Sequence, residues 1–456
     1  MSEIIVGLDI GSKQVSVVAG RLDSIGMLEI LALGKASTSG IVSKGVVLNV
    51  NDTINAVQEA IRQVENQANL HVRGVIASVA GTNITSQKHR AMVTRQTSGE
   101  EVTVTDVDQL ANDAERTFVS QGNTIIHTLP QEYSVDTSTG IYEPVGISGI
   151  KLQAEFQVVT SPTMAWDKTK RCIERAIENI EIEGGLVFSP LAASLSVLSK
   201  EEKNSGVVLV DIGSGTTEII IFYKKIARHI AVLPYAGDHI TSDIEQGCNI
   251  SKENAELLKV KFGNANPEEI AYEEIITMPA ISGRKPKQVS TKNLCIVIQE
   301  RLKEIAALVT AEIKKSGYEN LLPSGIVITG GSSQLKGIEG LFEKVTGKEV
   351  RIGYPNENLG KSVTEEIKNP SYATVVGLVW NGFKAIDARE DKYKVLRKDA
   401  PPIIIKNDTL LGGNLSNKNK TKPDENEKKS GFSLFKAIKK LGGQIIGEDL
   451  GDSDKY

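Results

Sequence analysis

Apolar positions along the chain repeat with two different periods, and each change of period marks a predicted element. Residues 4–20, IIVGLDIGSKQVSVVAG, form an apolar β-rich run, an Asp-Ile-Gly-Ser turn and a second β-rich run. The same arrangement returns at residues 206–222 as GVVLVDIGSGTTEIIIF. Each reads as a hairpin with an aspartate in its tight turn, and two such hairpins predict a duplicated fold with two similar halves. Behind each hairpin the period becomes helical. Ile54, Val57, Ile61, Val64 and Ala68 form one apolar stripe, with Asp52 as the expected cap. Ile298, Leu302, Ile305, Val309 and Ile313 form another, which ends at Lys314, Lys315 and Gly317. A third helix is expected over residues 167–182. Strands alternating with helices predict an α/β protein with mixed sheets.

Two stretches break the rhythm. Residues 83–160 are polar and alternate strand-like pieces (EEVTVTD, NTIIHTLPQEYSV, KLQAEFQVVT) with one helix expected over residues 107–119. They read as a small inserted domain. Residues 235–292 are also less regular and end in the basic loop SGRKPK. From residue 387 regular patterning fades, and residues 407–430 have the composition of a disordered tether.

Beyond the tether, residues 430–447 read SGFSLFKAIKKLGGQIIG. At about 100° per residue, Leu434, Phe435, Ile438, Leu441, Ile445 and Ile446 fall on one helical face. Lys436, Lys439 and Lys440 fall on the other, with Phe432 at the border. This is the pattern of an interfacial membrane helix, and its lysines attract anionic headgroups. A helix docking on the protein body or on a partner has the same pattern, but the tether argues against self-docking. Gly442 and Gly443 weaken the helix, which favours its folding on contact. The acidic end, EDLGDSDKY, is expected to stay in water.

Composition narrows the reading. A chain of 456 residues predicts two or more domains of roughly 100–200 residues each. With 40% hydrophobic and 24% charged residues, it is ordinary for a globular protein. The formal charge of −4 lacks the basic footprint that nucleic acid requires. Cys172, Cys248 and Cys295 are far apart, so they fit neither a disulfide framework nor a zinc site and are expected to be buried thiols in a reducing compartment. The start, MSEIIVGLDIG, is unlike a signal peptide. No run of about 18 apolar residues predicts a membrane span. A cytoplasmic location is expected.

One Asp-Ile-Gly-Ser turn is weak evidence of chemistry, because tight turns often contain Asp and Gly. Two at matched positions are more specific. Gly11, Gly213 and Gly215 allow backbone amides to approach phosphate oxygens. Asp9 and Asp211 are expected to face each other across a cleft, each holding Mg²⁺ through water. Ser12, Ser214, Thr216 and Thr217 add hydroxyls. A third element, SGIVITGGSSQLKGIEGLFE at residues 324–343, reads as a strand, a Gly-Gly turn and a helix. Gly330 and Gly331 leave room for a flat base or a phosphate, and the N-terminus of the helix favours anions. The three together resemble the actin, heat-shock chaperone and sugar-kinase superfamily.

Six blocks in order carry a closer resemblance: VLVDIGSGTTEI, AVLPYAGDHITSDI, NAELLKVKFGNA, ISGRKPKQVS, IVITGGSSQLKGIEGL and NPSYATVVGL. The chain resembles the bacterial cell-division protein family FtsA over residues 4–385. The resemblance implies an actin-like (ribonuclease H-like) duplicated α/β fold, with an inserted subdomain 1C in place of actin's small subdomain. It implies subdomain 1A at residues 1–82 and 161–200, 1C at 83–160, 2A at 201–234 and 301–387, and 2B at 235–300. A flexible linker (388–429), the amphipathic helix (430–447) and an acidic tail (448–456) follow.

The implied function is that of an ATP-binding protein that tethers FtsZ filaments to the cytoplasmic membrane at the division septum. Self-association into protofilaments and recruitment of later division proteins are implied as well. ATP is expected against Asp9, Gly11, Ser12 and Lys13 of the first phosphate loop, and Asp211, Gly213, Ser214, Gly215, Thr216 and Thr217 of the second. Gly330, Gly331 and Ser332 are implied to lie against the adenosine. Glu256 and Lys259, one helical turn apart, match the family's ribose pair, and they also read as a surface ion pair. Lys13 stands where the family commonly has a small residue; it either reaches a phosphate or is solvated. Arg284, Lys285 and Lys287 are implied to bind the C-terminal FtsZ peptide, although a cationic loop is also simply a solvated surface.

Filament-forming relatives such as MreB carry a glutamate before the proline of the connecting helix. Here that segment is VFSPLAAS, with Ser189 before Pro190, so slow or undetectable ATP hydrolysis is expected. The alternatives are a pilus-assembly protein resembling PilM and a superfamily sugar kinase. The Ser189-Pro190 segment and the tail favour FtsA over the kinase, and the tail and the SGRKPKQ block favour it over PilM.

Overall fold

The computed structural model describes residues 3–95, 99–118, 121–177, 181–270, 272–279 and 285–398. Arg284 and the whole expected amphipathic helix, Phe432 to Ile446, lie outside the described residues.

The first hairpin forms as β1 (Ile5–Ile10) and β2 (Gln14–Leu22), and β3 (Leu28–Ser37) extends it. A short hairpin, β4 (Val42–Ser43) with β5 (Val46–Val47), leads into α1 (Val50–Ala68) and then β6 (Gly74–Val79). Ile54, Val57, Ile61 and Val64 are buried as their spacing required. The cap of α1 is Asn49 rather than Asp52. Asn49 has the extended backbone a cap needs and its side chain accepts from the Asp52 amide, whereas Asp52 lies inside the first turn.

The inserted segment comprises β7 (Thr85–Thr94), α2 (Val104–Thr117), β8 (Asn123–Val135), β9 (Ser138–Ile141) and β10 (Lys151–Pro162). Its strands form their own sheet in the order β7-β10-β8-β9, with Leu110, Ala114, Leu152, Phe156 and Val158 in a separate core. EEVTVTD is not a strand. Thr103 and Asp106 form a reciprocal capping box that starts α2 at Val104, and this local hydrogen bonding overrides the β-branched alternation.

The chain returns through α3 (Thr163–Ala176), β11 (Glu181–Phe188), α4 (Ser189–Val197) and α5 (Lys200–Ser205). The helix expected over 167–182 therefore stops at Ala176. Ile182 instead joins a strand, pairing with Val75 of β6.

The second half repeats the first. The hairpin β12 (Val207–Ile212) and β13 (Thr217–Tyr223) is followed by β14 (Ile226–Leu233), α6 (Gly237–Cys248) and α7 (Lys252–Phe262). A small hairpin, β15 (Ile275–Met278) and β16 (Lys287–Ser290), precedes α8 (Thr291–Ser316). Helix α8 buries the expected stripe and ends at Gly317, whose φ of 77° closes its C-terminus. Then come β17 (Ile326–Thr329), α9 (Ile338–Thr346), β18 (Val350–Ile352), β19 (Leu359–Ser362) and α10 (Ala373–Lys398).

The sheet orders are β11-β6-β1-β2-β3-β19 and β14-β13-β12-β17-β18. In each, an antiparallel hairpin carries the motif aspartate, and a parallel strand lies beside that aspartate's own strand. The duplication read from the sequence is thus a duplication of topology.

Residues 359–398 depart from the expected boundaries. Strand β19 pairs with β3 of the first sheet. Helix α10 buries Val375, Val376, Leu378 and Val379 in one cluster with Ile5, Val18 and Ile76 of the first half. It also runs to Lys398, into the segment expected as linker. Helices α4 and α10 meet backbone to backbone, since a Cβ on Gly377 would lie 1.8 Å from the Ala192 carbonyl oxygen. Among the described residues no helix is long and apolar enough to cross a membrane. The three cysteines are free thiols; Cys172 and Cys295 are buried and Cys248 is half-buried.

Candidate functional site

The two motif turns meet at a cavity of about 430 Å³ between the halves. Each turn closes in the same way: the Gly11 amide donates to the Gln14 carbonyl at 3.0 Å, and the Gly213 amide to the Thr216 carbonyl at 3.0 Å. The β4–β5 hairpin reaches over from the first half. Its Gly45 amide donates to Ser12 Oγ at 3.0 Å, and its Lys44 backbone lies against Gly215. The N-terminus of α6 supports the second turn from the other side. There the Gly237 amide donates to the Gly213 carbonyl at 3.1 Å, and the Asp238 amide to the Ser214 carbonyl at 2.8 Å.

Gly330 is required twice over. Its φ is +85°, and a Cβ there would lie 2.2 Å from Asp211 Oδ1. The chain after Gly330 first makes a 3-10 turn, Gly331–Gln334, and α9 begins only at Ile338. An α-helix N-terminus therefore does not follow the Gly-Gly pair directly, because Gly330 and Gly331 are spent on a tight turn. Ser332 closes that turn onto the second motif, its Oγ donating to the Gly213 carbonyl at 2.8 Å.

Four carboxyl groups line the cavity: Asp9, Asp211, Glu218 and Glu256. Burial pushes the Asp9 carboxyl above its usual range, and a hydrogen bond from Ser78 only partly offsets it. Burial, then the charge of Asp9, pushes Asp211 up, against a hydrogen bond from Thr374. Glu218 is 4% exposed and is pushed up by burial and by Asp211; Thr216 Oγ1 donates to it at 2.8 Å. A pocket in which acids resist ionisation together favours a cation. Among the described residues no group of three or more His, Cys, Asp or Glu is arranged to hold a metal directly.

Glu256, half-buried, and Lys259, buried, pair on α7. Lys259 Nζ lies 2.7 Å from Glu256 Oε2 and donates to the Gly237 carbonyl at 3.1 Å and to Thr241 Oγ1 at 2.8 Å. Thr241 Oγ1 donates to the same Glu256 oxygen at 2.6 Å. The other oxygen, Oε1, lies 3.3 Å from Lys13 Nζ of the first half. Burial raises the Glu256 pKa, but Lys259, Thr241 and Lys13 outweigh it and bring the carboxyl down to about 2.

Of the residues singled out in the sequence for nucleotide, Asp9, Gly11, Ser12, Lys13, Asp211, Gly213, Ser214, Gly215, Thr216, Glu256, Lys259, Gly330, Gly331 and Ser332 line this one cavity. Thr217 does not. It begins β13, fully buried, and its hydroxyl donates to the Tyr235 carbonyl at 2.7 Å. Ser189 also lines the cavity, its Oγ donating to the Val79 carbonyl at 3.1 Å. Lys287 opens β16 half-buried and Lys285 is exposed before it. Sequence reasoning missed Glu218. The available signal was pairing: in a hairpin with Asp211 at the end of one strand, Glu218 is its cross-strand neighbour.

Two halves of matched topology, with a motif turn from each closing one cavity and a separate domain inserted into the first half, define an actin-like ATPase fold. A solved structure of a PilM-PilN type IV pilus biogenesis complex shares this fold, with a TM-score of 0.60 over 83% of this chain and 98% of that one at 17% identity. Residues 208–377 match the family model described as cell division protein FtsA, and residues 81–160 the SHS2 domain inserted in FtsA. The chain is 35% identical over 382 residues to the cell division protein FtsA of Pseudomonas aeruginosa, covering 84% of this chain and 90% of that protein. It is 33% identical over 387 residues to that of Escherichia coli, covering 83% and 90%. The chain belongs to the FtsA family of cell division proteins.

Proposed function

We propose that this protein binds ATP between its two halves and fastens FtsZ filaments to the cytoplasmic membrane at the septum. In this reading it also self-associates and helps to recruit later division proteins. The observation that carries the ATP assignment is the shared cavity: turns from both halves, a glycine that no side chain can replace at Gly330, and a Lys–Glu pair on one wall. Its volume of about 430 Å³ falls within the usual range for a small-molecule site.

The residues present fit the nucleotide. Gly11, Gly213 and Gly215 carry no side chain to crowd the phosphates, and Glu256 is the acceptor for sugar hydroxyls. Mg²⁺ also fits the donor set, because buried carboxyls that resist ionisation together are relieved by a cation; Asp9 and Asp211 would hold it through water. Bound there, Mg²⁺ supplies charge neutralisation along the phosphate chain.

Hydrolysis is expected to be slow. Ser189 offers no carboxylate to accept a proton from the attacking water.

For FtsZ, the hairpin with Lys287 also exposes Ile275, and Tyr272 just before it is 85% exposed. A hairpin that carries Lys287, with Lys285 before it, at one end and exposed Ile275 at the other suits a partly acidic, partly hydrophobic peptide, for which Arg284 is proposed as a further cation. The membrane role rests on the amphipathic residues from Phe432 to Ile446. The nucleotide reading is tested by titrating the full-length protein with Mg-ATP and following phosphate release. Saturable binding with turnover well below about 1 per second is expected. No binding refutes the nucleotide assignment, and turnover typical of enzymes refutes the account of Ser189.

A further inference from the structure

The ion pair between Lys13 and Glu256 is the charge contact that joins the first phosphate turn to the helix carrying the Lys–Glu pair. Lys13 follows Ser12 at the tip of the first hairpin and its side chain is 53% exposed. Glu256 divides its two oxygens unequally. Oε2 is held from within the second half by Lys259 at 2.7 Å and Thr241 at 2.6 Å. Oε1 faces the opposite half, with Lys13 Nζ at 3.3 Å. Both residues line the same cavity.

We propose that Lys13 makes the site selective for phosphorylated ligands by exchanging Glu256 Oε1 for the phosphate chain of a bound nucleotide. This rests on the ATP-binding reading above. The physical basis is a difference in what each partner gives. An exposed lysine on a flexible stem loses little on leaving a carboxylate, and a polyphosphate offers it more negative charge and more acceptor oxygens than a single carboxylate does. Its departure frees Oε1 to accept from a sugar hydroxyl, while Lys259 and Thr241 keep the carboxylate oriented through Oε2. A nucleoside without phosphate must break the same pair and gives Lys13 nothing in return. The ion pair therefore penalises adenosine and is repaid only by ligands that carry phosphate.

The exchange predicts opposite changes for two ligands. In Lys13→Met, affinity for ATP falls about tenfold or more, the range of a lost hydrogen bond to a charged group. Affinity for adenosine rises about 2–5-fold, the range of a removed exposed ion pair. Lys13→Arg, which keeps the charge, returns both affinities towards those of the natural protein. The experiment is a pair of equilibrium titrations, ATP and adenosine, on the natural protein and both variants, with circular dichroism to verify folding. A merely structural ion pair moves both ligands in the same direction or neither, and either result overturns the proposal. Failure of the natural protein to bind ATP would overturn the nucleotide reading and this proposal with it; normal ATP binding with no effect of Lys13→Met overturns only the exchange.

Discussion

Gly215 is where the floor of the cavity brings the two halves into contact, and Gly215→Ala tests that contact. The added Cβ would lie 2.7 Å from Lys44 Cα, 2.7 Å from the Lys44 amide nitrogen and 2.7 Å from Ser12 Oγ. Two of these atoms are backbone. The hairpin tip that carries them has little room to retreat, because Gly45 is itself pressed against Ala80 and Gly81, where a Cβ would meet backbone at 2.7 Å. Overpacking of this kind costs about 1–3 kcal/mol. One route of relief is strain within the folded protein, which lowers the melting temperature by roughly 1 °C per kcal/mol for a chain of this size. The other is separation of the halves, which a ligand bridging both must reverse on binding. In that case ATP affinity falls by about 5–150-fold. Scanning calorimetry and an ATP titration on the same sample distinguish the two routes. Gly340→Ala is the control: nothing lies within 4 Å of its Cβ, it sits in α9, and the change gains about 0.5–1 kcal/mol of helix stability. A Gly215→Ala protein with unchanged melting temperature and unchanged ATP affinity would refute the contact.

Glu256 contributes pH-dependent stability. Its carboxyl is held at about 2 in the folded protein against an ordinary value of about 4.3. The contribution is therefore present above the ordinary value and is lost as pH falls toward 2. Glu256→Gln is expected to cost up to about 3 kcal/mol at pH 7, and denaturant titrations should show that cost shrinking below pH 4.3 but constant from pH 5 to 7. Asn381 of α10 is 1% exposed, and neither of its amide atoms has a hydrogen-bond partner among the described residues. Asn381→Leu should stabilise the protein by about 1–2 kcal/mol; a loss of stability in the same assay would mean the amide is satisfied.

Legibility followed the range of the interactions. Both hairpins and the stripes of α1 and α8 were readable because strand alternation and helical spacing are written in consecutive residues. Local competition was harder. Asn49 rather than Asp52 caps α1, and the Thr103–Asp106 capping box turns EEVTVTD toward a helix, since short polar side chains choose among nearby amides by geometry that spacing does not encode. Pairing across the fold was least visible. Strand β19 and helix α10 follow the second half in the chain yet complete the first, because Ile5, Val18 and Ile76 leave an apolar face that Val375, Val376 and Val379 cover. At the site, the glycines and aspartates were readable as motif residues. Glu218, Thr374 and the Lys44–Gly45 tip carry no motif of their own and matter through where the fold puts them. Lys13 was visible but its partner was not, as Glu256 lies on the opposite wall of the cavity.

The central claim is a physical link between FtsZ filaments and the membrane through an ATP-bound, actin-like body. It is tested by sedimenting anionic vesicles with FtsZ filaments, ATP and either the full-length protein or a form lacking residues 432–446. The full-length protein is expected to carry FtsZ into the vesicle pellet, and the deleted form to leave it in solution. Recruitment of FtsZ by the deleted form, or failure of the full-length protein to recruit it, would contradict the account.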